Sequence, residues 1–101
     1  MYDTIHTMNT AQIILSQIKT LDPRALFAWG AKDLVAFPDG LQFKSSGMVS
    51  KHKGHVKITL NGSDLYDIQA FTIRAGVVRI KTTVNDVYAE DLISILDDII
   101  G

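Results

Sequence analysis

ITLNGSDLYDI, residues 58–68, places an Asn-Gly pair, two aspartates and a tyrosine between two runs in which apolar and polar residues alternate. Alternation with a period of two marks a strand with one buried face, so the stretch reads as two strands joined by a turn. Parity decides the register, because residues directly opposite each other point to the same face of a sheet. A two-residue Asn61-Gly62 turn, the first guess from the dipeptide, would set Val56 against Asp67 and Lys57 against Tyr66, which mixes the faces. A three-residue turn, Asn61 to Ser63, pairs Ile58 with Tyr66, Val56 with Ile68, Lys57 with Asp67 and His55 with Gln69, and separates apolar from polar. A five-residue turn keeps the same parity, so the expectation is an odd turn.

The same test extends to both sides. Arg74-Ala75-Gly76, read as a three-residue turn with glycine in the left-handed position, opposes Ala70 with Ile80 and Ile68 with Thr82, and puts Gln69 opposite Lys81 and Phe71 opposite Arg79 outside. Pro38-Asp39-Gly40 has the same form, proline presetting the turn and glycine supplying positive φ. The strand runs are then Asp33 to Phe37, Leu41 to Ser45, His55 to Leu60, Leu65 to Ile73 and Val77 to Val84. Before them, Ile14, Ile18 and Leu21 recur at helical spacing after a cap at Asn9 or Thr10, and Asp22-Pro23 ends the helix. Ala25 to Trp29 is apolar on both sides, either a short strand or a helical turn, closed by Gly30. After Val84, Asn85 or Asp86 can cap a last helix with Tyr88, Leu92, Ile95, Leu96 and Ile99 on one side. Glu90 and Asp91 suit its positive end, whereas Asp97 and Asp98 oppose the dipole at the other, so packing or a partner for those aspartates must hold it.

The expected fold is therefore α+β in two layers: an N-terminal helix, an antiparallel meander of about four or five strands, and a C-terminal helix packed on one sheet face. Residues 1–8 read as a loose tail, with Met8 an alternative start, ahead of a single domain over 9–101. The expected core is Ile14, Ile18, Val56, Ile58, Tyr66, Ile68, Ile80, Leu92 and Leu96, and Trp29 reads as a core residue too. Apolar surface left open around Trp29, Phe37 or Phe71 would call for a symmetric homodimer.

Composition narrows the chemistry. The 101 residues are 47% apolar and 21% charged with net charge −1, an ordinary globular balance that announces no polyanionic partner. With no cysteine, disulfides, thiolate metal sites and a cysteine nucleophile fall away together. No apolar run reaches the ~20 residues of a membrane-spanning helix, and no secretory layout opens the chain. A cytoplasmic protein without membrane partner or cofactor is expected. No phosphate loop, G-x-S-x-G or ordered Ser/His/Asp set is present, so no enzyme activity is expected. His52 and His55 lack a third ligand for a metal, and Asn61, Asp64, Asp67 and Asp86 match no calcium loop. Asn61 and Asp64 are better read as turn residues and Asp67 as the partner of Lys57.

Seven of the ten lysines and arginines fall between positions 44 and 81, and this bias supplies the candidate site. Lys44, His55, Lys57, Arg79 and Lys81 should point away from the helices, and the connector from 45 to 54 adds Lys51, His52 and Lys53. Together they make a candidate anion-binding or nucleic-acid-binding surface, to be weighed against a solvated basic strand face with a plain connector.

The blocks GAKDLVAFPDGLQFK at 30–44, VKITLNGSDLYDI at 56–68 and VYAEDLISIL at 87–96, in that order, resemble a family of small uncharacterised proteins of bacteriophages and related mobile elements. The resemblance spans roughly residues 12–97. The chain departs from it at Gln69-Ala70-Phe71, where relatives carry a Glu-Phe pair, and at Glu90, where they tend to carry aspartate. The resemblance implies a phage or prophage accessory protein in the bacterial cytoplasm and transfers no catalytic residue. Three partner classes follow: nucleic acid or another anion, a protein of a host defence system that the chain inhibits, and a purely structural interaction without nucleic acid.

Overall fold

A capping box opens the first helix: the Asn9 side chain accepts from the Gln12 amide at 2.8 Å, and the Gln12 side chain accepts from the Asn9 amide at 3.1 Å. This helix, α1 (Thr10–Leu21), buries Ala11, Ile14 and Ile18 and stops at Asp22 before Pro23. The computed structural model describes residues 9–46 and 52–101; the expected N-terminal tail and Lys51 lie outside the described residues. Residues 25–29 resolve the open choice as a helical turn, α2 (Ala25–Trp29), ended by Gly30 in the left-handed region at φ 63°.

Five strands follow, β1 (Ala31–Phe37), β2 (Gly40–Ser45), β3 (Gly54–Leu60), β4 (Tyr66–Arg74) and β5 (Val77–Val87), all antiparallel neighbours in chain order. A 3-10 turn (Ala89–Asp91) leads into α3 (Leu92–Ile100). The helices lie on one face of the meander, α1 against β1 and β2 and α3 against β5, giving the α+β architecture expected. Leu41, Phe43, Val56, Ile58, Tyr66, Ile68 and Ala70 point from the strands into the core between these layers. Leu92, Leu96 and Ile100 answer them from α3 at four-residue spacing.

The β3–β4 turn has five residues: Leu60 faces Tyr66, Ile58 faces Ile68 and Val56 faces Ala70. Its parity is the expected odd one. The length is set by Asn61, whose Oδ1 accepts from the amides of Ser63 (2.8 Å) and Leu65 (3.2 Å), while Asp64 rather than Gly62 takes positive φ, at 61°. Lys57 consequently faces Gln69, and Asp67 faces Thr59 instead of Lys57.

The other two turns are shorter than expected. Arg74 pairs with Val77, so the turn is Ala75-Gly76, both at positive φ (51° and 78°), which is the two-residue form that matches strand twist. One residue fewer in the turn reverses the faces near it: Phe71 meets Ile80, Thr72 meets Arg79, and Ile80 is 57% exposed instead of core. A bulge at Lys81 then shifts the register, and Ala70 meets Thr82. At Pro38-Asp39 the turn also has two residues, with Phe37 opposite Gly40. Gly40 is required there for close approach, not for positive φ, since a Cβ on it would lie 2.2 Å from the Ile58 carbonyl oxygen.

β5 runs past Val84 to Val87, so neither Asn85 nor Asp86 caps a helix. Asp86 instead sits in a second bulge at φ 58°, and Tyr88 is exposed rather than part of the apolar stripe. Of the residues tied to a dimer, Trp29 and Phe71 are buried within the chain and Phe37 is half-buried. Exposed aliphatics occur on α1 (Ile13, Leu21), on β1 (Leu34, Val35) and along the outer part of the β4–β5 hairpin (Ile73, Val77, Val78, Ile80), and Phe27 of α2 is 91% exposed. No helix among the described residues is long and apolar enough to cross a membrane.

Candidate functional site

Pleat alternation on β2 and β3 buries Leu41, Phe43, Val56 and Ile58, so Gln42, Lys44, His55 and Lys57 stand on the face away from the helices. The ladders join them into a row. Lys32 on β1 faces Lys44 on β2, Lys44 faces His55 on β3, and His55 faces Phe71 on β4. The imidazole of His55 stacks on the Phe71 ring at 5.3 Å, covering an aromatic that would otherwise be open to solvent. One step along, the ammonium of Lys57 lies 4.3 Å from the centroid of Phe37. Exposed Lys53 adjoins the start of β3. Among the described residues no lysine or arginine forms an ion pair with a carboxylate.

The expected site does not survive as one surface. Lys44, His55 and Lys57 share the outer face as expected. Arg79 and Lys81 do not join them: the two-residue turn carries both to the helix side of the sheet, where they line a concavity with Thr72, Arg74 and Val77. His52 is no surface ligand either. Only 8% exposed, it donates Nε2–H to the His55 carbonyl at 3.0 Å, its amide donates to Ile100 O at 3.3 Å, and its carbonyl accepts from Ser45 Oγ at 2.6 Å. It fastens the end of α3 to the sheet. Two cations escaped the sequence reading: Lys32, because β1 begins two residues earlier than alternation indicated, and Arg74, because it was assigned to the turn.

The Asn61 cluster answers what the opening stretch is for. Asn61 Nδ2 donates to Asp67 Oδ1 (3.0 Å) and Asp86 Oδ1 (2.9 Å), and the Asp86 amide of the bulge donates to Asp67 Oδ1 (3.1 Å). The two aspartates therefore orient the Asn61 side chain that holds the turn, and Asp67 also accepts the amide of the bulge residue Asp86. No group of three His, Asp or Glu residues placed to hold a metal occurs among the described residues. Elsewhere Tyr66, buried at the start of β4, donates its hydroxyl to Gln17 Oε1 at 2.5 Å, and burial pushes its pKa above the usual phenol value.

Comparison with protein-family models, with curated proteins and with solved structures gave no match.

Proposed function

We propose that this chain is a non-enzymatic binding module of a bacteriophage or prophage, acting in the bacterial cytoplasm, whose outer sheet face takes the phosphate backbone of a nucleic acid. One observation carries the reading: Lys32 stands directly opposite Lys44 with His55 next in the row, and no carboxylate pairs with either lysine among the described residues. Like charges directly opposed across a ladder are destabilising, by an amount comparable to the ~0.2–1 kcal/mol of a favourable pair. A polyanion laid along the row offsets that repulsion, Lys57 extends the row along β3, and exposed Lys53 adjoins the start of that strand. The order of the three sequence blocks supports the phage context.

The test is fluorescence anisotropy of a labelled DNA duplex against the full chain as salt rises. Affinity should fall steeply with salt, and Lys44→Gln combined with Lys57→Gln should weaken it about 5- to 20-fold by removing two phosphate contacts. Absence of binding at low salt ends the reading.

A second reading has its own observation. The exposed aliphatics Ile73, Val78 and Ile80 beside Phe71 favour a protein partner, either a host defence component that the chain inhibits or a second copy. That reading predicts a stable complex from infected cells that is indifferent to free DNA.

A further inference from the structure

We infer that the outer end of the β4–β5 hairpin is a second phosphodiester-binding site, separate from the outer-face row and on the opposite side of the sheet. The inference rests on the nucleic-acid reading above for the identity of its ligand, and on different residues for its geometry. The β3–β4 ladder ends at His55 opposite Phe71, so from Thr72 to Arg79 the hairpin continues as a ribbon of two strands to which no third strand pairs among the described residues. All of residues 73–83 are exposed. The tight Ala75-Gly76 turn fixes the pairing, and pairing fixes the faces: Thr72 with Arg79 and Arg74 with Val77 share one side.

The Lys81 bulge completes the arrangement. Residues 77, 79 and 81 alternate onto that same side, and the residue after the bulge, Thr82, follows them there opposite Ala70. Thr72, Arg74, Val77, Arg79 and Lys81 consequently line one concavity of about 430 Å³. Three of its five wall residues are cations and a fourth carries a hydroxyl donor. From residue 68 to residue 85 the sequence contains no aspartate or glutamate, so the hairpin supplies no counter-charge of its own. Asp98 of α3 lines a separate groove with Thr82 and Val84 rather than this one.

The chemistry of the wall specifies the ligand class. Two guanidinium forks match the paired oxygens of a phosphate, the lysine adds a point charge, and Thr72 offers a hydroxyl. A two-stranded ribbon is also a shape that a DNA major groove admits, with the cations of one side reaching the phosphates that border it. The outer-face row and the hairpin wall point to opposite sides of the sheet, so one phosphate cannot serve both. Each site should therefore contribute its own share of the salt dependence.

Three forms of the full chain decide it, each checked for native circular dichroism and titrated with a labelled DNA duplex: wild type, Lys44→Gln/Lys57→Gln, and Arg74→Gln/Arg79→Gln/Lys81→Gln. The hairpin triple variant should lose about tenfold or more in affinity at low salt and flatten the slope of log K against log salt by about 2–3, the share of three phosphate contacts. Arg74→Lys/Arg79→Lys/Lys81→Arg, which keeps the charge, should retain most of that slope; its loss would assign the effect to folding and overturn the inference. A hairpin triple variant that binds and responds to salt as wild type does, while the outer-face variant weakens, overturns this inference and leaves the proposed function standing. The reverse result keeps the hairpin site and removes the outer-face row. Hairpin-dependent binding to phosphatidylglycerol vesicles but not to the duplex would overturn the assignment to nucleic acid.

Discussion

The indole N–H of Trp29, at the end of α2, donates a 2.8 Å hydrogen bond to Oδ1 of Asp97 in α3, joining positions 68 residues apart. Trp29 itself is 2% exposed and stacks on Phe43 with the ring planes 4° from parallel. The bond explains why a carboxylate is kept in the last turns of a helix, where the dipole disfavours it. A hydrogen bond to a charged group contributes about 1.5–3 kcal/mol, against about 0.3–1 kcal/mol of dipole penalty at an exposed helix end.

Asp97→Ala should therefore lower stability by roughly 1–2 kcal/mol, while Asp98→Ala, which removes the same charge without such a bond, should be neutral or slightly stabilising. Urea unfolding followed by the fluorescence of the single tryptophan measures both. Equal effects from the two substitutions would show that the bond contributes nothing.

Ile80→Ala should cost less than about 1 kcal/mol, and Ile68→Ala about 2–5 kcal/mol, because Ile80 is 57% exposed and Ile68 fully buried. Alternation in the sequence treats the two isoleucines alike, and the contrast shows where that reading stops. The parity of the β3–β4 pairing was legible because a wrong parity would have buried Asp67 or Lys57, but its register was not, since the Asn61 side chain holds a five-residue turn instead of a three-residue one. The β4–β5 register was not, because Ala75 adopts a left-handed conformation that costs a residue with a Cβ roughly 1–2 kcal/mol, and nothing local announces it. The Lys81 bulge hides the error further along by returning Thr82 to its expected face, although opposite Ala70 rather than Ile68. The same cause divided the candidate site: Lys44, His55 and Lys57 lie on strands whose faces alternation gave correctly, whereas Arg79 and Lys81 inherited the mistaken turn. His52 had no legible signal, since its burial depends on the end of α3 meeting a connector distant in sequence.

Asn61→Asp should be more damaging than Asn61→Ala. Alanine loses the bonds to Asp67 and Asp86 and the two amide bonds of the turn. Aspartate can still accept from the Ser63 and Leu65 amides, yet it replaces a shared donor with a third carboxylate at about 3 Å from two others, and repulsion at that range exceeds one hydrogen bond. The expected loss is about 2–4 kcal/mol for aspartate at neutral pH and about 1–3 kcal/mol for alanine. Lowering the pH into the carboxylate range should narrow the gap, since protonation removes the repulsion. An Asn61→Asp protein as stable as Asn61→Ala at neutral pH would mean that the three side chains do not act as a unit.

Tyr66 gives the alkaline limb of stability its direction. Burial favours the neutral phenol and raises its pKa in the folded chain, while a Gln17 amide rotated to donate its Nε2–H to a phenolate opposes part of that shift. A folded pKa above the unfolded one means that Tyr66 contributes its full stabilisation below pH ~10, the unfolded value, and loses it as pH rises through the folded pKa. Tyr66→Phe removes the titration together with the hydroxyl bond to Gln17, at a cost of about 0.5–1.5 kcal/mol near neutral pH. The stability advantage of wild type over Tyr66→Phe should then shrink above pH ~10, because only the wild type must protonate or expose that hydroxyl to stay folded. Lysine titration affects both proteins equally and cancels in the difference. Paired urea titrations across that range measure it, and an advantage that stayed constant or grew would show that the Tyr66 phenolate is accommodated between α1 and the start of β4 without cost.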